Sequence, residues 1–135
     1  MHIHGKCHCG TISYEAEVDP ETVVICHCAD CQAFAGGPYR AMVTPLPGTL
    51  RMSGSPTLYV KTADSGRQRA QAFCGTCGTH LYAVDPGDPP ERLSLRIGAI
   101  AERHRLAPPV RQVWCDSALS WAFNLSAVAR TGKQS

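Results

Sequence analysis

Seven of the eight cysteines in this 135-residue chain fall into three closely spaced groups. The groups are Cys7 with Cys9, then Cys26 with Cys28 and Cys31, and finally Cys74 with Cys77. Clustered thiols in a reducing compartment are more often metal ligands than disulfide partners. The start of the chain, "MHIHGKCHCG", has no apolar segment of the kind that export signals carry. The spacing therefore favours metal binding over disulfide bonds.

Two of the groups together supply the four thiolates of a structural zinc site. Alternate residues on a strand point to the same face, so Cys7 and Cys9 can reach one ion. Cys74 and Cys77 form a C-x-x-C knuckle in "FCGTCG", where the two glycines permit a tight turn. Closing the intervening loop costs on the order of 4 kcal/mol, whereas zinc contributes roughly 10–16 kcal/mol in small zinc-binding peptides. The metal would therefore hold distant parts of the chain together.

The remaining group, Cys26, Cys28 and Cys31 in "CHCADCQ", offers three thiolates. A zinc ion with three protein ligands keeps its fourth position for water or a substrate, as catalytic sites do. Three thiolates make the ion a poor activator of water and a better acceptor of a soft sulfur ligand. The sequence therefore predicts a second zinc whose fourth ligand is a thiol from outside the chain.

Other assignments of these residues stay open. His27, His80 or Cys115 could supply a fourth protein ligand and close the second site. Cys28 and Cys31 could instead form a redox dithiol, although no thioredoxin-like pattern surrounds them. Spacing alone does not decide which cysteines share an ion. Outside these roles, Cys115 is expected to be a small buried hydrophobe.

Short strand-like segments separated by proline- and glycine-bearing turns predict a mainly β domain with small helical pieces. "TISYEAEV" alternates apolar and polar residues, which is typical of a half-buried strand. Further strand-like pieces are "VVI", "YRAMV", "TLRM", "TLYV", "RAQAF", "HLYAV" and "LSLRIGAI". Trp114, Trp121 and Phe123 are expected to lie in the core.

The helical signal beside the three-cysteine group is "DCQAFAGG". Asp30 is expected to cap its start, and Gly36 or Gly37 to end it. The helix would have barely two turns, so tertiary contacts must stabilise it. Along the whole chain we predict a single zinc-binding domain over residues 1–126 and a flexible tail over residues 127–135.

The composition restricts the partners of the protein. Hydrophobic residues make up 44% of the chain, charged residues 18%, and the net charge is only +2. This mild charge argues against a nucleic-acid partner. No segment approaches the roughly 20 apolar residues of a membrane span. We therefore expect a cytoplasmic protein with no membrane or nucleic-acid partner, and the oligomeric state stays open.

Three stretches together resemble one known family. "GKCHCGTISYE", "CHCADCQAFAGGPYR" and "AFCGTCGTHLY" resemble the glutathione-dependent formaldehyde-activating enzyme family, which also includes centromere protein V. The resemblance covers roughly residues 5 to 122. Gln112 is a departure, because many relatives carry histidine there.

The resemblance implies a fold of antiparallel sheets built around zinc, called Mss4-like or β-tent. It implies two zinc ions per chain, a structural one on Cys7, Cys9, Cys74 and Cys77, and a catalytic one on Cys26, Cys28 and Cys31. It also implies carbon–sulfur lyase activity, since the founding reaction joins formaldehyde to glutathione as S-hydroxymethylglutathione.

Two hypotheses about function follow. The first is a zinc-dependent carbon–sulfur lyase that acts on a thiol adduct of a small aldehyde, with glutathione as co-substrate. Because glutathione carries two carboxylates, basic side chains are expected near the mouth of the site, and the candidates are Arg40, Lys61, Arg67 and Arg69. The alternative is that these residues form a solvated basic loop. The second hypothesis is a non-catalytic zinc module that binds a thiol or a protein partner. A fourth protein ligand would favour the module, and an exchangeable fourth position would favour the enzyme.

Overall fold

The computed structural model describes residues 1–134, and over this range ten strands form two sheets. The strands are β1 His2–Lys6, β2 Ser13–Glu17, β3 Val24–Cys26, β4 Arg40–Val43, β5 Arg51–Ser53, β6 Thr57–Thr62, β7 Gln68–Phe73, β8 His80–Asp85, β9 Glu91–Arg96 and β10 Arg111–Val113. Helix α1 spans Ala29–Ala35, and short 3-10 turns lie at Ile97–Ala99, Arg103–Arg105, Cys115–Ser117 and Ser120–Phe123. The predicted mainly β fold with small helical pieces is confirmed.

A three-stranded antiparallel sheet has the order β1-β2-β5. The alternation in "TISYEAEV" is confirmed, because Ile12, Tyr14, Ala16 and Val18 are all 4% exposed or less. Strand β1 was not predicted. Its sequence, "HIHGK", has one large apolar residue, Ile3, and that residue is fully buried.

A seven-stranded sheet has the order β10-β3-β4-β9-β8-β7-β6. Its neighbouring strands are antiparallel with one exception, because β10 pairs with β3 in parallel. The antiparallel sheets that the resemblance implies are present, and this parallel pair is the one difference between neighbouring strands of the described residues. β10 has only three residues, too few for a periodic pattern, and its pairing with β3 defines it as a strand. The predicted strand "LSLRIGAI" ends at Arg96 and continues as the 3-10 turn Ile97–Ala99.

The hydrophobic core combines residues of both sheets with two of the cysteines. Ile3, Leu81 and Leu95 are fully buried in one cluster that also includes Cys7 and Cys74. Cys7 and Cys74, two of the ligands predicted for the structural zinc, are therefore part of the core.

Three aromatic residues were assigned to the core incorrectly. Trp114, Trp121 and Phe123 are 66%, 53% and 51% exposed. They follow the last strand, in a segment of 3-10 turns outside both sheets. Cys115 lies in the same segment and is also exposed, so its expected burial is wrong.

Within residues 1–134, no helix is both long and apolar enough to cross a bilayer. The single domain over residues 1–126 and the tail over residues 127–135 remain predictions. The last residue of that tail, Ser135, lies outside the described residues.

Candidate metal centres

Four cysteine sulfurs converge between the end of β1 and the turn that joins β7 to β8. They belong to Cys7, Cys9, Cys74 and Cys77. All four lie within 4.8 Å of one another. The first two follow β1 of the three-stranded sheet, and the last two lie in the β7–β8 turn of the seven-stranded sheet. The cluster therefore brings the two sheets together at one point, where the predicted structural zinc would hold them.

Cys7 and Cys9 converge through a turn, whereas the sequence predicted a strand. β1 ends at Lys6, and the Gly10 N–H donates to the Cys7 carbonyl at 3.0 Å. Gly10 has a φ of 81°, a conformation that favours glycine. This turn brings the Cys7 and Cys9 sulfurs to 3.6 Å from each other. The predicted convergence is therefore present, although its cause is different.

The knuckle at Cys74 and Cys77 depends on its glycines for two different reasons. Gly78 adopts a φ of 77° and its N–H donates to the Cys74 carbonyl at 2.8 Å. Gly75 instead lies against another strand, since a Cβ there would be 2.6 Å from Thr57 Oγ1. Both glycines let the two sulfurs share one side of the turn.

The sulfurs of Cys7 and Cys77 have hydrogen-bonding neighbours outside the cluster. The Ile12 N–H donates to Cys7 Sγ at 3.3 Å. The Thr79 hydroxyl accepts from the His8 N–H at 3.0 Å and lies within hydrogen-bonding distance of Cys77 Sγ, at 3.2 Å. The hydrogen bond with this hydroxyl, and then the backbone hydrogen bonds of Cys9 and Thr79, lower the pKa of Cys77 to about 5. Such contacts prepare thiols for a metal, which binds them as thiolates.

The four-cysteine cluster fits zinc by its donor set and its size. Zinc–sulfur bonds of about 2.3 Å in a tetrahedron place neighbouring sulfurs about 3.8 Å apart. The Cys7–Cys9 and Cys9–Cys74 sulfur separations are 3.6 Å and 3.7 Å. All eight cysteines of the chain are free thiols. Four thiolates at this spacing are the set that structural zinc sites use.

A second cluster forms where β3 ends and α1 begins. The sulfurs of Cys26, Cys28 and Cys31 lie within 4.8 Å of one another. Cys28, and not the predicted Asp30, is the N-cap, because its sulfur accepts from the Cys31 N–H at 3.3 Å. Gly36 ends the helix with a φ of 63°, as predicted. The cap itself therefore orients one of the sulfurs.

Cys26 and Cys31 influence each other's protonation. The hydrogen bond from Cys31 lowers the pKa of Cys26 to about 5, and the positive charge of Arg40 acts in the same direction. The same contact raises the pKa of Cys31, with burial adding to it. One sulfur therefore ionises readily while its neighbour retains the proton, and a bound cation would replace that proton.

The side chains considered as a fourth ligand lie elsewhere. His27 is fully buried and its Nε2 lies 2.7 Å from Gln112 Oε1. His80 stacks on Phe73 with ring centroids 5.7 Å apart, and Cys115 is exposed. Among residues 1–134, no other histidine, cysteine or carboxylate joins the three-cysteine group within 4.8 Å.

The three-cysteine cluster lines a cavity of about 390 Å³. The four basic residues proposed from the sequence, Arg40, Lys61, Arg67 and Arg69, line it as well. The strand register explains why these residues line the same cavity, because Cys26 pairs with Arg40 and Lys61 pairs with Arg69. Paired residues on neighbouring antiparallel strands place their side chains on the same face of a sheet. One face of the seven-stranded sheet therefore supplies much of the cavity wall.

The basic residues at the exposed side of this cavity already have acidic partners. Lys61 forms an ion pair with Asp30. Arg67 and Arg69 both pair with Asp85, the latter at 2.9 Å. Arg67 is 52% exposed and Lys61 27%.

Arg40 differs from these three, because it is 5% exposed and meets a second buried arginine. Its Nη1 donates to Gln71 Oε1 at 3.0 Å, and Arg96 Nη2 donates to the same oxygen at 3.2 Å. Burial, and then the charge of Arg40, lower the pKa of Arg96 to about 9. Arg96 also donates to Ser94 Oγ at 3.1 Å.

Sequence reasoning did not identify Gln71, Ser94 or Arg96 as site residues. The available signal was alternation, since polar residues occupy every second position in "RAQAF" and in "RLSLR". Such alternation normally indicates a solvent-facing side. Here the side of the sheet that carries Gln71, Ser94 and Arg96 is shielded from solvent, and these residues are only 3% to 6% exposed.

The comparison with family models agrees with this arrangement of motifs. Residues 2–117 match the family described as "Glutathione-dependent formaldehyde-activating enzyme". The match spans most of the chain, and the protein therefore belongs to this family. The search of curated proteins found no match.

Among solved structures, a crystal structure of a Rhodobacter sphaeroides protein is similar to this chain with a TM-score of 0.60. The two share 20% sequence identity, and the match covers 81% of this chain and 98% of the other. At this identity the likeness concerns the fold alone.

Proposed function

We propose that this protein is a zinc-dependent carbon–sulfur lyase of the glutathione-dependent formaldehyde-activating type, acting on a thiol adduct of a small aldehyde. The observation that carries the proposal is the position of the three-cysteine cluster in the wall of a cavity rich in cations. Family membership supports this reaction type, since the family is described by formaldehyde activation with glutathione.

Cys26, Cys28 and Cys31 would hold the catalytic zinc, and Cys7, Cys9, Cys74 and Cys77 the structural one. Zinc at the three-cysteine site would lower the pKa of a substrate thiol and keep it as a nucleophilic thiolate. Arg40 lies beside this cluster, and its positive charge stabilises the thiolate form of Cys26. The free thiols of this chain fit the reducing cytoplasm, where we place the protein.

The proposal assigns the carboxylates of glutathione to the cations Lys61, Arg67 and Arg69, with Arg40 beneath them. Lys61 and Arg67 would exchange Asp30 and Asp85 for the ligand. Because these pairs are partly exposed, each is worth about 1 kcal/mol or less, and a ligand carboxylate can replace the acidic partner at little cost.

The test measures exchange between formaldehyde, glutathione and their adduct by NMR with the zinc-loaded protein. We expect the protein to accelerate exchange well beyond the uncatalysed rate. Cys28→Ser should abolish the acceleration, and Cys115→Ser should retain it, because Cys115 is exposed and outside both clusters. Equal exchange rates with and without the wild-type protein would refute the proposal.

The second candidate, a non-catalytic zinc module that binds a protein partner, is favoured by the exposed aromatic residues of the C-terminal segment. Trp114, Trp121 and Phe123 are each more than half exposed. Exposed aromatic residues are common in protein interfaces. Catalysed exchange that is unaffected by alanine at all three positions would exclude this function as the primary one.

A further inference from the structure

Two arginines lie buried together in the cavity wall, and both have hydrogen-bonding capacity to spare. Arg40 and Arg96 are 5% and 6% exposed. Arg40 Nη2 and Arg96 Nε are buried atoms without a hydrogen-bond partner in the described part of the chain. Neither guanidinium forms an ion pair with a carboxylate of residues 1–134. Buried charges are normally paired, so this wall has the charge and the free N–H groups to bind an anion.

The arrangement is fixed by packing and by strand register. Arg40 pairs with Cys26 across β3–β4, and Arg96 pairs with Met42 across β4–β9. The side-chain amide oxygen of Gln71, Oε1, accepts from both guanidiniums. The Arg40 guanidinium also lies 5.4 Å from the centre of the Phe34 ring. The two cations are therefore held in place before any ligand arrives, which lowers the entropic cost of binding one.

The cysteine thiolates account for part of this positive charge. Three thiolates with one divalent cation have a single net negative charge, and Arg40, which lies opposite Cys26, can balance it. Arg96 then remains as a second buried cation. A role limited to balancing the thiolates is the alternative that the experiment below must exclude.

Neither formaldehyde nor the carboxylates of glutathione account for the second buried cation, Arg96. Formaldehyde is uncharged, and the carboxylates of glutathione lie many bonds from its sulfur, where Lys61 and Arg67 line the exposed side of the cavity. A carboxylate bonded directly to the aldehyde carbon would instead lie next to the sulfur. Arg40, beside Cys26, and its neighbour Arg96 are placed for that position.

We propose that the aldehyde half of the substrate carries a carboxylate, as glyoxylate does, and that Arg40 and Arg96 bind it. The inference rests on the proposed function for the reaction at sulfur and adds the class of aldehyde. In the forward direction the thiol sulfur bonds to the carbonyl carbon, the carbon–oxygen π pair moves to oxygen, and that oxygen takes the proton released by the thiol. The lyase direction breaks the carbon–sulfur bond and returns the proton to sulfur. No oxidant or reductant is required.

The binding test uses isothermal titration of the zinc-loaded protein with glycolate and with glycolamide, its neutral analogue. We expect glycolate to bind, and glycolamide to bind about tenfold more weakly or worse, since hydrogen bonds to charged groups are the strong ones. Arg96→Gln should weaken glycolate binding by about tenfold or more. Arg51→Gln is the matched control, because Arg51 is an exposed residue of the other sheet.

A second variant keeps the test decisive if Arg96→Gln does not fold. Gln71→Glu has nearly the same shape and places a carboxylate at the oxygen that both arginines contact at 3.0 Å and 3.2 Å. We expect this variant to raise the melting temperature and to lose glycolate binding, because its own carboxylate occupies the cations. Unchanged glycolate affinity in Gln71→Glu would overturn the inference. Altered zinc retention in Arg96→Gln with unchanged glycolate affinity would also overturn it, since the arginine would then only balance the thiolates.

The activity arm separates this inference from the proposed function. Exchange of the glutathione adducts of glyoxylate and of formaldehyde is followed by NMR for the wild type and Arg96→Gln. We expect the KM for glyoxylate to rise about tenfold more than the KM for formaldehyde. Catalysis with formaldehyde but no binding of glycolate would overturn the carboxylate site and leave the proposed function intact. Glycolate binding that depends on Arg96, without catalysis of either adduct, would support the site and refute the lyase.

Discussion

Arg40 lies directly opposite Cys26 in the β3–β4 pair, so a buried guanidinium and a cluster thiol share one face of the sheet. This relationship connects the cysteine cluster to the row of cations along the cavity. It gives a physical reason why a thiolate is favoured at Cys26, whose pKa is lowered to about 5 by Cys31 first and by Arg40 as a further cause.

We predict that metal-replete protein contains two zinc ions per chain and that they exchange at different rates. Four sulfurs surround one site and three the other, so the three-sulfur site should lose its ion first. Elemental analysis gives the metal count, and a chromophoric chelator with circular dichroism follows release and folding together. We expect the first ion to leave while the protein stays folded. A single bound metal, or simultaneous loss of metal and fold, would contradict the assignment.

Cys74→Ser should destabilise the protein far more than Cys28→Ser. Cys74 is 1% exposed in the core and belongs to the cluster that joins the two sheets, whereas Cys28 is half-buried at the start of a short helix. Loss of a structural metal is among the largest single-site effects, so we expect a cost of about 4 kcal/mol or more. Urea unfolding measures it, with Cys115→Ser as the control. Similar unfolding midpoints for the two variants would show that the structural and catalytic roles are assigned incorrectly.

A thiol should enter the coordination sphere at the three-cysteine site. In cobalt-substituted protein, a new sulfur ligand alters the thiolate-to-cobalt charge-transfer band. We expect glutathione to change this band, and S-methylglutathione, whose sulfur cannot become a thiolate, to leave it unchanged. Protein carrying Cys28→Ser should lose the response. If glutathione produces no change up to about millimolar levels, a common range for substrate affinity, it is not the ligand.

Gln112→Ala should destabilise the fold by about 1–3 kcal/mol, because it leaves a buried polar atom unpaired. His27 is fully buried, and Gln112 Oε1 lies 2.7 Å from its Nε2. The contact also holds β10 against β3, to which it is paired in parallel. Chemical denaturation measures the effect. Arg111, which like Gln112 is an exposed residue of β10, provides the control, and Arg111→Ala should change stability by less than about 0.5 kcal/mol because it removes no hydrogen bond to His27. Equal costs for the two variants would contradict this role for Gln112.

His80 should make the protein less stable in acid. Burial, together with the charges of Arg40 and Arg96, lowers the pKa of His80 below its ordinary value. The unfolded chain therefore takes up this proton at higher pH than the folded protein, and stability falls as the pH drops below about 6.5. His80→Phe keeps a ring against Phe73 and cannot be protonated, so it should lose less stability between about pH 7 and pH 5.

Urea unfolding of both proteins across this pH range measures the difference. Protonation of the cysteine ligands weakens both proteins alike and cancels in the comparison. Parallel pH profiles for His80→Phe and the wild type would show that His80 titrates normally in the fold.

The sequence by itself determined that the cysteines within each motif lie close together, because the convergence of thiols in C-x-C and C-x-x-C depends on local turns and glycines. Gly36 and Gly78 have the left-handed conformations that their positions in "FAGG" and "TCG" suggest. The burial of Ile12, Tyr14, Ala16 and Val18 followed from alternation in the same way. These features are confirmed because each is decided within a few neighbouring residues.

Tertiary structure alone decided what stands beside the three-cysteine cluster. Arg40, Gln71 and Arg96 come from β4, β7 and β9, and no local pattern brings them together. The polar alternation around Gln71 and Arg96 predicts solvent exposure, yet both are buried where the sheet face forms the cavity. Trp114 and Trp121 depart from expectation in the other direction, because their residue type predicts burial and both are exposed. In both cases strand register and the path of the chain over the sheet, which are long-range properties, decided which side chains water can reach.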